Sequence, residues 1–255
     1  MTQVKSSLND IMTKKEILNK LEEYGDKQTK STLMKHGAKE PFFGVKVKDL
    51  KKILKKVKKN HNLSLELYAT GNSDAMYLAC LMADENQITE EQLEDWVDKA
   101  YWYYLSEYAV PWIAAETEYG FALGLRWIKS DVESIASAGW ATLAYYAGVN
   151  QDKNLDTEAY RSLLDTVEKK IHKTQNRVRF TMNGFVISVG TYIEGLTKKS
   201  KEVASRIGKV NVNMGGTACK VPLATDYINK AIEDGLGKSV KQRDVEITLN
   251  NSNNR

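Results

Sequence analysis

Apolar residues recur at spacings of three and four along almost the whole chain, and this periodicity constrains the fold most strongly. No run of alternating strand pattern interrupts it, and prolines occur only at positions 41, 111 and 222. The spacing therefore predicts an all-α protein. The predicted helices span roughly residues 12–24, 27–36, 47–59, 64–70, 73–84, 89–104, 105–116, 118–129, 131–147, 156–171, 177–195, 198–208 and 221–234.

The predicted helices fall into pairs, in which a shorter amphipathic helix precedes a longer and more apolar one. The pairs recur about every 30–45 residues, a period typical of helical repeats. Stacked repeats of this kind form a curved α-solenoid with a concave cleft, and a compact helical bundle is the competing architecture. Because no Gly/Ser/Pro-rich linker divides the chain, we predict one domain over 1–240 and a polar tail at 241–255.

Composition limits the class of protein and the compartment. The chain has 255 residues, of which 42% are hydrophobic and 27% charged, a balance typical of a folded protein. Its first residues lack the apolar core of a signal peptide, and its longest apolar run, MYLACLMA, is too short to cross a membrane. Cys80 and Cys219 form no CxxC pair, and the histidines have no metal-ligand spacing. We expect a cytoplasmic monomer that binds no metal or cofactor and does not associate with a membrane.

Charge is distributed unevenly along the chain. Eight lysines lie between residues 46 and 59, whereas residues 84–98 carry seven acids and no base. Sorted charge of this kind suits a protein with one face toward a polyanion. The alternative is that Leu50 and Ile53, with their neighbours at helical spacing, mark an amphipathic helix of which the lysines are the solvated side.

An aromatic-rich stretch, YWYYLSEYAVPWIAAETE at 101–118, surrounds one carboxylate, Glu107. In a regular helix Tyr103 lies one turn before it on the same face. A carboxylate in a poorly hydrated aromatic cleft could stabilise a cation or activate a water molecule. The alternatives are a solvent-facing or salt-bridged Glu107, and a Trp112 that packs in the core.

Three stretches together resemble the AlkD family of bacterial DNA alkylation repair proteins. They are MKHGAKEPFFGVKVKDLKKIL (34–54), WYYLSEYAVP (102–111) and FTMNGFVISVGTYIEGL (180–196), and the resemblance extends over roughly residues 12–240. It implies HEAT-like helical repeats and binding to double-stranded DNA. It also implies a glycosylase that excises cationic N3- or N7-alkylpurines, unless the chain is an inactive module that binds DNA structures or a protein partner.

The family's site residues can be carried over by position. Tyr103 stands where the family typically has tryptophan, and Glu107 where it has aspartate, so the resemblance implies a catalytic role for both. The family's cleft arginine falls on Trp140 and its later tryptophan on Phe185. The resemblance thus makes Trp140, Phe185 and Trp112 candidate cleft aromatics, with core packing as the alternative, and loss of the arginine leaves the chemistry open.

Duplex binding requires cations near the phosphates, because these contacts supply most of the affinity. Ion pairs with acids such as Glu158 or Asp165 are the structural alternative for such cations. Asn183, a polar residue on the long apolar helix, could instead donate a hydrogen bond to a neighbouring backbone carbonyl. The candidates for DNA binding are Arg177, Arg179, Asn183, Lys198, Lys199 and Lys220.

Overall fold

The protein is described by a computed structural model that covers residues 12–150, 152–215 and 219–235. Throughout those ranges it is built of α-helices with short 3₁₀ and π segments and no β-strand, which confirms the all-α prediction. No helix in the described part of the chain is long and apolar enough to cross a bilayer. The tail predicted at 241–255 lies outside the described residues.

Helix positions follow the apolar periodicity closely. The helix predicted at 64–70 starts earlier than predicted: α4 begins at His61, because the side chain of Asn60 caps it by accepting the Leu63 N–H. The helices are α1 (Lys14–Glu23), α2 (Lys27–Lys35), α3 (Val47–Val57), α4 (His61–Tyr68), α5 (Ser73–Met82), α6 (Glu90–Lys99), α7 (Val110–Ala115), α8 (Gly120–Trp127), α9 (Glu133–Val149), α10 (Thr157–Lys170), α11 (Asn176–Tyr192), α12 (Thr197–Ile207) and α13 (Ala224–Glu233).

Contacts divide the chain into two compact units. The first takes the described parts of 1–34 and 39–84, and the second those of 35–38 and 85–255. The first unit contains α1 to α5, and α5 is buried along its whole length against α1, α3 and α4. This burial explains the long apolar run at 76–83. A single domain over 1–240 stays a prediction.

The lysine-rich segment forms α3 of the first unit. Leu50 and Ile53 are buried, whereas Lys48, Lys55 and Lys56 are exposed. The amphipathic interpretation of these lysines is therefore confirmed: they form the solvated side of a helix whose apolar side packs into the unit.

Two long helices are central to the second unit. α9 contacts α7, α8 and α11, and α11 also contacts α12 and α13. α10 and α12 contact each other. Glycine permits the close approach of α8 and α9, since a Cβ at Gly139 would lie 2.5 Å from the Ile128 backbone nitrogen. The predicted pairs α4/α5, α8/α9 and α10/α11 are all in contact.

Candidate functional site

Glu107 lies in a π-helical segment, Tyr104–Ala109, that leads directly into α7. Pro111 accounts for this segment. Proline has no N–H to donate to the carbonyl four residues earlier, here that of Glu107, and its ring clashes with that carbonyl in a regular α-helix. The hydroxyl of Tyr145, on α9, donates to the Glu107 carbonyl instead, at 3.2 Å.

The π-helical segment corrects two predicted boundaries. The helix predicted at 89–104 ends at Lys99, and the helix predicted at 105–116 is divided between the π segment and α7. In a π-helical turn the hydrogen bond closes one residue later than in an α-helix, which changes the direction in which side chains such as Glu107 leave the backbone. Such turns are frequent at functional sites.

The carboxylate of Glu107 is paired with Arg177 from α11. Arg177 Nε donates to Oε1 at 2.6 Å and Nη2 donates to Oε2 at 2.5 Å, so the pair is bidentate. The Glu107 side chain is 2% exposed and that of Arg177 18% exposed. The acid in the aromatic stretch therefore faces a cation supplied by the protein itself.

The guanidinium of Arg177 also contacts two aromatic rings. Its central carbon lies 4.8 Å from the centroid of Tyr103 and 4.5 Å from that of Phe180. Both distances suit a cation–π interaction. His36 packs edge-on against Tyr103, with ring centroids 5.6 Å apart. We call Tyr103, Glu107, Arg177 and Phe180 the Arg177 cluster.

Further bonds fix the start of α11, where Arg177 lies. The Arg177 backbone N–H donates to Glu133 Oε1 at 2.8 Å, and its Nη1 donates to the sulfur of Met214 at 3.5 Å. Asn176 donates to the Asn213 carbonyl at 2.9 Å and accepts the Asn213 N–H at 2.7 Å. The cluster is therefore held by α9 on one side and by the segment after α12 on the other.

Burial and ion pairing act in opposite directions on the pKa values of both partners. Burial raises the pKa of the Glu107 carboxyl to about 7, although the hydrogen bonds and charge of Arg177 act in the opposite direction. Burial likewise lowers the pKa of Arg177, but the bonds to Glu107 and its charge more than compensate. Chemically, a buried acid with both oxygens bonded to a guanidinium anchors that arginine and is poorly placed to activate water.

The other predicted aromatics lie in the core. Trp112, Trp140 and Phe185 are each 2% exposed or less. Phe185 meets Trp140 edge-on at 5.1 Å between centroids, and it stacks on Tyr160 at 5.8 Å with the planes 5° apart. The structure therefore places these three side chains in packing positions between helices.

Three of the predicted DNA-binding side chains have partners within the protein. Arg177 belongs to the cluster. Asn183 is buried and donates to the Pro222 carbonyl at 3.0 Å, the arrangement stated above as the alternative for this residue. Lys199 pairs with Asp165 at 2.6 Å.

The remaining predicted cations are more accessible. Lys198 and Lys220 are exposed, and Arg179 is half-buried. Neither lysine makes an ion pair with another described residue. These two side chains are therefore available to an anionic partner.

Several contributors to the site were not predicted from the sequence, among them Phe180, Glu133, Met214 and Tyr145. Phe180 could have been found, because it follows Arg177 by three residues and so shares its face of the helix. The others carry no local signal, since they reach the cluster only through tertiary packing.

Comparison with known proteins gives consistent results. A family model described as "DNA alkylation repair enzyme" matches residues 17–199. The chain is 37% identical over 194 residues to the uncharacterized protein Lmo0209 of Listeria monocytogenes, which covers 74% of this chain and 83% of that protein. It is equally similar, at 37% over 195 residues, to Lin0241 of Listeria innocua, with the same coverage.

One solved structure is similar over nearly the whole fold. It is described as "a new family of proteins related to the HEAT-like repeat DNA glycosylases with affinity for branched DNA structures". The match has a TM-score of 0.81 and 33% identity, and it covers 90% of this chain and 100% of the other. The prediction of a HEAT-like helical repeat fold is thereby confirmed.

Proposed function

We propose, from the premise that this chain belongs to the DNA alkylation repair enzyme family, that it binds branched DNA and has no glycosylase activity. The alternative within the same family is a glycosylase that releases cationic alkylpurines and uses Glu107 as its catalytic acid group. Both alternatives predict DNA binding, and they differ in the chemistry at Glu107.

The bidentate Glu107–Arg177 pair carries this proposal. A glycosylase of this kind needs a carboxylate that faces the sugar or the attacking water in the transition state. Both oxygens of Glu107 accept from Arg177, and the side chain is 2% exposed.

Two further observations support the proposal, the first for branched DNA and the second for DNA in general. The similar solved structure is described as having affinity for branched DNA, and it matches this chain over 90% of its length. Lys198 and Lys220 are exposed and available for phosphate contacts. Such contacts position a protein on DNA without reading its sequence, so specificity would come from the shape of the DNA.

The proposal is tested by binding and excision measured on the same preparation. We expect the protein to bind a labelled four-way junction at least about tenfold more tightly than a linear duplex of equal length and composition at one fixed salt concentration. We also expect no release of N7-methylguanine from a labelled duplex, by the wild type or by Glu107→Gln. Release that Glu107→Gln abolishes would establish the glycosylase instead, and equal affinity for junction and duplex would refute the shape preference.

Removing the two exposed lysines should weaken junction binding through electrostatics alone. For Lys198→Gln/Lys220→Gln we expect the slope of log affinity against log salt to become shallower by about 2, since each phosphate contact contributes roughly 0.9. The control is Lys99→Gln, because Lys99 is already paired with Asp95 at 2.6 Å on an acidic helix. A salt slope that is the same in all three proteins would remove Lys198 and Lys220 from the DNA interface.

A further inference from the structure

A pocket of about 360 Å³ lies beside the Arg177 cluster, within the second unit. Four aromatic side chains line it, each from a different element. Tyr108 comes from the π segment, Tyr145 from α9, Phe180 from α11 and Tyr227 from α13. Four rings around one small cavity present flat, polarisable surfaces to whatever enters it.

Most of the remaining lining residues have short side chains, and Ile187 and Glu107 are the larger ones. Ala141, Ala144 and Gly184 line the same pocket from α9 and α11. Its volume is at the lower end of the roughly 300–1,000 Å³ typical of small-molecule sites. Aromatic walls combined with short side chains form a cavity suited to one flat ring.

Gly184 adds an independent observation. Glycine inside a helix is destabilising relative to alanine, so it usually has a packing reason. Gly190 on the same helix has one, since an added Cβ would lie 2.8 Å from Ile228 Cδ1. At Gly184 an added Cβ would meet no heavy atom within 4 Å. Packing therefore does not require glycine at 184, and the space it leaves belongs to the pocket.

The charge of the pocket selects among flat rings. Glu107 is the acidic residue that lines it, and both of its oxygens already bond to Arg177. No free negative charge is thus offered there to a cationic ring. The pocket is better matched to a neutral heterocycle held by stacking.

We infer that this pocket holds the ring of one unpaired nucleobase at a DNA branch point. The inference rests on the proposed function and gives it a recognition element. A branch interrupts base stacking, so a base there leaves the helix at lower cost than one inside a duplex. Stacking on aromatic side chains tolerates any base, which suits recognition of shape over sequence.

The test compares two junctions that differ in one group. One carries a single unpaired base at the branch, and the other carries an abasic site at that position. We expect the wild type to bind the first about tenfold more tightly, the range that base–aromatic stacking provides. Gly184→Leu should lower this ratio to about one and leave the affinity for the abasic junction unchanged.

A matched control separates filling of the pocket from general effects of the substitution. An added Cβ at Gly195 also meets nothing within 4 Å, and Gly195 does not line the pocket. Gly195→Leu should therefore keep the ratio of the wild type. Tyr227→Ala provides a second variant that leaves folding intact, because this side chain is 56% exposed. It should lower the ratio several-fold.

The outcomes distinguish the two proposals. If the wild type binds neither junction, the proposed function and the inference both fail. If it binds both junctions equally, with the preference over duplex retained, only the inference fails. If titration with free 2′-deoxyadenosine shows tight binding that Gly184→Leu abolishes while the two junctions bind equally, the pocket belongs to a free nucleoside, and the inference is overturned.

Discussion

Replacing Arg177 by methionine should lower the free energy of unfolding by about 3–5 kcal/mol, the loss typical of breaking a buried ion pair on one side. The carboxylate of Glu107 would remain 2% exposed without its two charge-assisted hydrogen bonds. Urea denaturation monitored by circular dichroism measures this change. The comparison requires that the slope of unfolding free energy against urea concentration is the same in both proteins.

The double variant Glu107→Met/Arg177→Met isolates the pair. Removing both charges leaves neither group uncompensated, and buried ion pairs replaced by apolar side chains are often close to neutral in stability. We therefore expect the double variant to be more stable than Arg177→Met alone, with a coupling energy of about 2–3 kcal/mol in the mutant cycle.

Arg126→Met is the matched control for the pair. Its guanidinium also bonds two oxygens, from Glu90 and Glu94, but it is 56% exposed. Exposed ion pairs contribute little, so this variant should lose far less stability than Arg177→Met. Equal losses for the two arginine variants would mean that burial of the Glu107–Arg177 pair does not determine its strength.

The sequence was sufficient for the helices because their cause is local. Apolar residues at spacings of three and four have to share a face, and α3 shows this directly, with Leu50 and Ile53 buried and Lys55 and Lys56 exposed. The boundary near residue 104 was wrong for an equally local reason. Pro111 lies inside the predicted helix and has no N–H to donate to the Glu107 carbonyl, which accepts from the Tyr145 hydroxyl instead. The periodicity of apolar residues does not register the π segment that results.

Only part of the candidate site could be predicted from the sequence. Tyr103 and Glu107 are close in the chain and could be paired by helical spacing. The bond between Glu107 and Arg177 joins residues 70 positions apart, and no local pattern indicates it. From the sequence, Arg177 is a candidate phosphate contact with an ion pair as the alternative, because a cation at the start of a helix fits either role. Trp140 and Phe185 were ambiguous in the same way, since aromatics at helical spacing suit a core and a cleft equally.

Phe185→Ala tests whether Phe185 serves the core or a binding cleft. It should lower the free energy of unfolding by about 3–5 kcal/mol, as expected for removal of a buried phenylalanine. Phe185 is fully buried, stacks on Tyr160 and meets Trp140 edge-on. Its loss would leave a cavity among these rings and remove two aromatic contacts. Urea denaturation again gives the stability, and junction affinity is measured below the transition.

Phe180→Ala is the control on the same helix, since Phe180 is only half-buried and contacts Arg177. We expect it to lose less stability than Phe185→Ala but to lower the preference for the junction with an unpaired base. Phe185→Ala should instead keep that preference in its folded fraction. The reverse result, a stable Phe185→Ala that no longer distinguishes the two junctions, would place Phe185 in the binding site, because a core side chain acts on DNA only through the amount of folded protein.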